Sequence, residues 1–199
     1  MNKAFFGLLI FLFSGITYAQ TNIRPGIRLG FNSANISNTT LDNKIGPNAA
    51  IFVDFRFSRH YSLQPEIMYS RQGGKSNIRT NEDLDIDYLS FGVVNKFFVA
   101  PNQGLHLILG PSLDFDFENN LINVINETND SDVTPLDLSF FFGIGYEFDF
   151  GLVLEARYKQ GLLDIDLFDE DFESDFYRGE GNTLNNVFQF GVAYKFDLR

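Results

Sequence analysis

Cysteine and tryptophan are absent from the 199 residues, and histidine occurs only twice. Without cysteine no disulfide can staple an exported form, which must then hold together by strand pairing and burial. Basic residues are the scarcer charge, 15 against 26 acidic. Such a chain lacks the basic footprint of a nucleic-acid binder. Beyond the first nineteen residues there is no apolar run near the ~20 residues that a spanning helix needs. A mature chain embedded in a membrane must therefore be a closed barrel, because only helices and barrels satisfy every backbone group in lipid.

Residues 1–19 read as a secretory signal. Lys3 supplies the positive start, Ala4–Phe13 the short apolar run, and Thr17 and Ala19 the small residues before cleavage. The run is short for a membrane anchor, and Ser14 and Gly15 interrupt it. The mature chain, 20–199, has the length of one domain.

What is abundant is phenylalanine, 24 of the 199 residues. Together with Gly and Tyr it points to strands. Period-two alternation recurs eight times, around Gly26–Asn32, Asn48–Phe57, Tyr61–Ser70, Leu89–Val99, Leu105–Phe117, Leu136–Phe148, Leu152–Gly161 and Phe188–Phe196. Ile27, Leu29 and Phe31 oppose Arg28, Gly30 and Asn32. Leu138, Phe140, Phe142 and Ile144 oppose Asp137, Ser139, Gly143 and Gly145. Asn95 breaks the apolar face of the fourth segment. The connections alternate too. Short ones fall at Ser58–His60, Ala100–Gln103 and Asp149–Gly151, long polar ones at Ser33–Gly46, Gly73–Asp83, Asn119–Pro135 and Asp164–Thr183. The pattern predicts an all-β fold, an eight-stranded antiparallel up-and-down transmembrane β-barrel with short periplasmic turns and long extracellular loops. Both termini are then periplasmic.

Alternation alone does not say which face is the core, since a soluble barrel alternates as well. Two features decide. Gly30, Gly92, Gly110, Gly143, Gly145, Gly161 and Gly191 all fall on the polar face, as a crowded lumen requires and a solvent face does not. The apolar face carries more Phe, Leu, Ile, Val and Tyr than an eight-stranded lumen can hold, but suits a lipid-facing band with aromatic girdles. Phe57, Tyr61, Phe148 and Phe196 sit near the short turns. The polar face then encloses Arg28, Arg56, Lys96, Arg157, Lys159 and Lys195 with Asp54, Glu66, Asp114, Asp116, Glu147 and Glu155. The balance of signs predicts a salt-bridged plug rather than a single-sign ion pathway.

Catalysis has little support. Lipid-modifying barrels place a His–Ser-type pair near the outer leaflet. His60 falls in a short turn and His106 near the short-turn end, so no catalytic, cofactor-binding or metal residue is assigned and no cofactor is expected. The acidic segment Asp164–Glu180 interleaves Asp166, Asp169, Glu170, Asp171, Glu173 and Asp175 with Leu167, Phe168, Phe172 and Phe176. It lacks the glycine-centred calcium-loop pattern, and a solvated acidic loop is the ordinary reading. Divalent cations, lipopolysaccharide or a protein docked on its phenylalanines are the partners it would suit.

Several segments carry a family likeness: Gly26-Ile-Arg-Leu-Gly-Phe-Asn, Tyr61-Ser-Leu-Gln-Pro-Glu-Ile-Met-Tyr-Ser, Asp87-Tyr-Leu-Ser-Phe with Lys96-Phe-Phe, Leu109-Gly-Pro-Ser, and Val187-Phe-Gln-Phe-Gly-Val-Ala-Tyr-Lys-Phe. In order and spacing the chain resembles the PorT-like outer-membrane β-barrel family of Bacteroidetes over nearly the whole mature region. The likeness accommodates Pro65 and Pro111, awkward inside strands of a closed barrel. It implies a porin-like outer-membrane barrel with a structural or accessory role in envelope organisation or in protein export by a type IX-type route. Outer-membrane lipid and envelope or secretion proteins are the implied partners. A narrow channel for small solutes is the alternative. One departure is that Asp197-Leu198-Arg199 follow Phe196, where such barrels typically end on an aromatic residue.

Overall fold

The computed structural model describes residues 22–37, 42–75, 84–100, 103–116, 136–162 and 184–197. The expected signal segment 1–19, the acidic segment 164–180 and most of the long connections lie outside these residues. Eight strands follow one another: β1 (Asn22–Ile36), β2 (Asp42–Arg56), β3 (Tyr61–Lys75), β4 (Leu84–Phe98), β5 (Leu105–Asp116), β6 (Leu136–Glu147), β7 (Leu152–Gly161) and β8 (Asn185–Lys195). Each pairs antiparallel with the next, and β8 closes on β1 with Gly191 opposite Gly30. The barrel has no edge, so every strand's backbone groups face a partner strand.

The short connections carry their own turn chemistry. Ser58 Oγ accepts from the His60 and Tyr61 amides at 3.2 and 3.1 Å. Gly151 takes φ +93°, and its amide donates to Phe148 O at 2.9 Å. A side chain at that φ is strained, which makes glycine the natural occupant.

Pro65 and Pro111 both sit within strands. The β2–β3 ladder steps from Phe52–Glu66 to Phe55–Leu63, and the β4–β5 ladder from Gly92–Ser112 to Asn95–Leu109. Both ladders keep register while skipping the proline, which has no N–H to donate. The other ladder of each strand pairs straight through, Pro65 with Val93 and Pro111 with Phe140.

Polarity is inverted relative to a water-soluble domain. Lys96, Asp54 and Gln64 are 0% exposed and Lys195 2%, while Leu29, Ile51 and Phe142 are 62%, 61% and 56% exposed. Outward apolar side chains run from Ile23 to Phe31 on β1, Tyr61 to Tyr69 on β3, Leu105 to Phe115 on β5 and Phe188 to Phe196 on β8. With strands tilted about 40° and rising ~3.3 Å per residue, this belt is about 20–25 Å tall, the height of an outer-membrane apolar band. Its upper limit is polar on five of the eight strands: Ser33 on β1, Arg71 and Asp87 on β3 and β4, Gln160 on β7 and Asn186 on β8.

Above that limit the code reverts on β1 and in part on β4 and β8, though not on β2, where Ile45 points outward at 74% exposed. Ala34, Ile36, Ile86 and Val187 point inward and are at most 2% exposed, while Ser33, Asn35 and Asn186 point outward. Strands β1 and β2 run four and five residues further into the segment 33–46 than its polar composition predicts. That stretch stands clear of lipid, where an apolar interior and polar exterior are the stable arrangement.

Candidate functional site: the lumen

Inward residues from all eight strands form buried ion pairs in three groups, stacked from the short-turn end to the loop end. At mid-height Glu66 on β3 and Glu155 on β7 face Arg28 on β1, Lys96 on β4 and Arg157 on β7. Arg157 donates Nη1 to Glu66 Oε1 at 2.6 Å and Nη2 to Glu155 Oε2 at 2.7 Å. Arg28 reaches both carboxylates at 3.3 Å, and Lys96 Nζ lies 2.7 Å from Glu155 Oε1. Gln64 Nε2 donates to Glu66 Oε2 at 3.0 Å. Two carboxylates thus bind three cations, every member at most 6% exposed. Charges so far from water persist only when paired in this way.

A second group fills the short-turn end. Lys195 Nζ stands 3.0 Å from Asp54 Oδ2 and 2.8 Å from Glu147 Oε2. Arg24 also donates to Glu147, and Arg56 lies 3.6 Å from it. Toward the loop end Lys159 Nζ bonds Asp114 Oδ1 at 2.6 Å, and Ser139 Oγ donates to Asp114 Oδ2 at 2.6 Å. Asn48 donates to Asn32 and Asn32 to Ser70, while Asn185 donates to Gln72. Asp116, Asp137 and Tyr88 are buried at that mouth.

Eleven of the twelve charged residues read from the polar face join these ion pairs, and Asp116 lies buried beside them. Arg24 was missed, although it is in phase with Arg28. Also missed were the apolar side chains that share the lumen: Phe52 with Val153 and Ala193, and Val94 with Ile108 and Phe141. Their signal is a glycine across the ladder, since Gly26 pairs with Phe52 and Gly110 with Phe141. A Cβ on Gly26 would stand 2.4 Å from the Phe52 ring. Inward rings, Phe98 on β4 among them, also carry cations. Arg56 Cζ lies 3.4 Å above Phe98, and Arg157 Cζ lies 5.3 Å above Phe141.

His106 is 0% exposed in the lumen wall, at the short-turn end as expected. Its Nδ1 donates to Gly104 O at 2.8 Å; a carbonyl only accepts, so Nδ1 carries the proton. The ring lies tilted against Phe98 with centroids 4.8 Å apart and covers Gly145. His60 lies in the exposed turn, as expected. Among the described residues no three His, Cys, Asp or Glu side chains are grouped to hold a metal ion.

The outer wall has its own polar contacts. Arg71 clasps Asp87 through two bonds of 2.9 and 2.8 Å, and Tyr69 Oη donates to the same carboxylate at 2.6 Å. This pair sits at the upper limit of the apolar belt, where charge meets headgroups. Asn95, the break in the fourth apolar face, accepts from Tyr61 Oη at 2.8 Å.

A closed eight-stranded barrel with a charged interior and an apolar, aromatic exterior is a small membrane-spanning barrel. The sequence profile of the outer membrane protein beta-barrel domain matches residues 18–167, and the chain belongs to that family. It is a small outer-membrane barrel protein. Among solved structures, outer membrane protein AlkL is 11% identical at TM-score 0.50, covering 91% of this chain and 92% of that one. Neisserial surface protein A is 14% identical at 0.49, covering 87% and 97%, and Ail of Yersinia pestis 15% at 0.49, covering 87% and 98%. At such identity the AlkL likeness speaks to the fold alone. No curated protein matches the chain.

Proposed function

We propose that the protein is a plugged barrel with a structural or accessory role, holding its long loops at the cell surface for contact with envelope or secretion partners, and performing no catalysis. The observation that carries this reading is the mid-height network, in which Glu66 and Glu155 tie together cations from β1, β4 and β7 across the lumen. An interior closed by buried ion pairs leaves the loops as the part free to act. With eight strands both termini lie on the short-turn side, and we assign that side to the periplasm. The likeness to the PorT-like family of Bacteroidetes favours a type IX-type export route. Deletion of the gene, followed by comparison of secreted and outer-membrane proteins, tests that route; an unchanged secreted set removes it.

The plug is tested in planar bilayers. Purified protein is expected to give no reproducible single-channel steps, and steady wild-type currents would overturn the plugged reading. One observation favours a narrow channel instead. Arg28 Nε, Gln64 Oε1, Arg157 Nε, Tyr88 Oη and His106 Nε2 are buried without hydrogen-bond partners among the described residues, and such atoms call for water. On that reading currents exist and change when Lys96 or Arg157 is replaced.

A further inference from the structure

Among the described residues, the apolar belt carries one amide within it. Among the described outward positions of the apolar belt, every side chain is apolar or a tyrosine except Asn95. Leu89, Phe91 and Val93 precede it on the outward face of β4 and Phe97 and Val99 follow it, so it lies inside the belt and not at a rim. Its Oδ1 accepts from Tyr61 Oη at 2.8 Å, and its Nδ2 donates to Leu109 O at 3.2 Å. The Tyr61 ring lies against Phe97, centroids 5.3 Å apart, which holds the hydroxyl in place. An asparagine amide has two N–H donors and an oxygen with two lone pairs. One donor and one lone pair of Asn95 therefore still face the hydrocarbon, where no water can meet them.

We propose that Asn95 marks the centre of a contact between two copies of this chain. Two barrels inserted in the same direction are related by a two-fold axis along the membrane normal, so each wall residue near that axis meets its own counterpart at the same depth. A lysine or aspartate there would face its own charge. An amide is both donor and acceptor, and it satisfies itself. Leu63 and Leu109, which flank Asn95 by register on β3 and β5, supply aliphatic surface on either side. Intramembrane polar side chains are costly and are kept where they serve as contacts.

The chain has no cysteine, so single-cysteine variants need no further change. Val93→Cys, one outward position from Asn95 with the amide intact, is expected to form a disulfide-linked dimer in oxidised outer membranes. Val192→Cys on β8, on the opposite wall, is expected not to. Adding Asn95→Leu to Val93→Cys should lower the cross-linked fraction roughly tenfold, the worth of an interhelical-type polar contact in a membrane. Heat-modifiable gel migration checks that each variant is folded. The proposal is overturned if folded Val93→Cys cross-links no more than Val192→Cys, or if Asn95→Leu leaves the cross-linked fraction unchanged.

Discussion

Replacing Glu155 by glutamine removes one negative charge from a point where three cations converge. Lys96 and Arg157 each approach its carboxylate to 2.7 Å, and Arg28 to 3.3 Å. Arg28 and Arg157 keep Glu66 as a second partner. Lys96 does not: Glu155 is its one ion-pair partner among the described residues, and it is 0% exposed. The variant therefore strands a buried ammonium. Removing one partner of a buried pair costs about 3–5 kcal/mol. With a urea dependence of roughly 2 kcal/mol per molar, the unfolding midpoint should fall by about 2 M.

The assay is urea titration of barrel refolded in lipid vesicles, read by the gel migration of folded and unfolded forms. Lys96→Met in the Glu155→Gln background removes the stranded charge, and should recover about 1–3 kcal/mol of the loss through coupling between contacting residues. A Glu155→Gln midpoint indistinguishable from wild type would refute the reasoning, because the lumen would then supply enough water to solvate Lys96. Strict additivity of the two substitutions would refute it as well.

Two further outcomes test the packing and the orientation of the wall. A Cβ on Gly145 would stand 2.5 Å from His106 Nε2, so Gly145→Ala should cost about 1–3 kcal/mol, as overpacking does. His106→Ala should restore most of it in the same titration, and an unaffected Gly145→Ala would show that the ring moves freely. Tryptophan is absent from the chain, which makes Phe142→Trp and Phe141→Trp clean reporters of neighbouring wall positions. Phe142 is 56% exposed and Phe141 3%; lipid brominated in its acyl chains should quench the first strongly and the second little. Equal quenching of both would deny that odd-numbered β6 residues are the lumenal ones.

The eight strands and the sign of their faces were legible because the belt obeys one rule, apolar outward and polar inward, at a period of two. The ion pairs followed from it, since residues such as Arg28, Glu66 and Glu155 occupy inward phases. The reading failed where the rule changes. From Ser33 to Ile36 alternation continues with reversed polarity, Ala34 and Ile36 inward and Asn35 outward, so a strand looks like a polar connection. Phe52 and Phe141 escaped for a different reason: one-face alternation takes every inward residue to be polar or small, whereas here a glycine on the neighbouring strand makes room for a ring. The Arg71–Asp87 pair lies on the outward phase, where charge is tolerated only at headgroup level.

Stability alone does not account for so charged an interior, because a buried ion pair is often no better than apolar side chains of similar volume. Specificity is the stronger argument. The belt's exterior is apolar on every strand, and a lumen filled only with leucine and phenylalanine would leave the two faces alike. A strand could then slip by one residue, exchanging its faces, with little penalty. Here the same slip on β7 would carry Glu155, Arg157 and Lys159 into lipid, where a single Lys or Arg near the midplane costs about 2–4 kcal/mol, and would break five ion pairs as well. On β4 it would expose Lys96 and strand Glu155. The charges that line the lumen thus also hold register, strand by strand, and they do so most firmly at mid-height, where the bilayer tolerates a misplaced charge least.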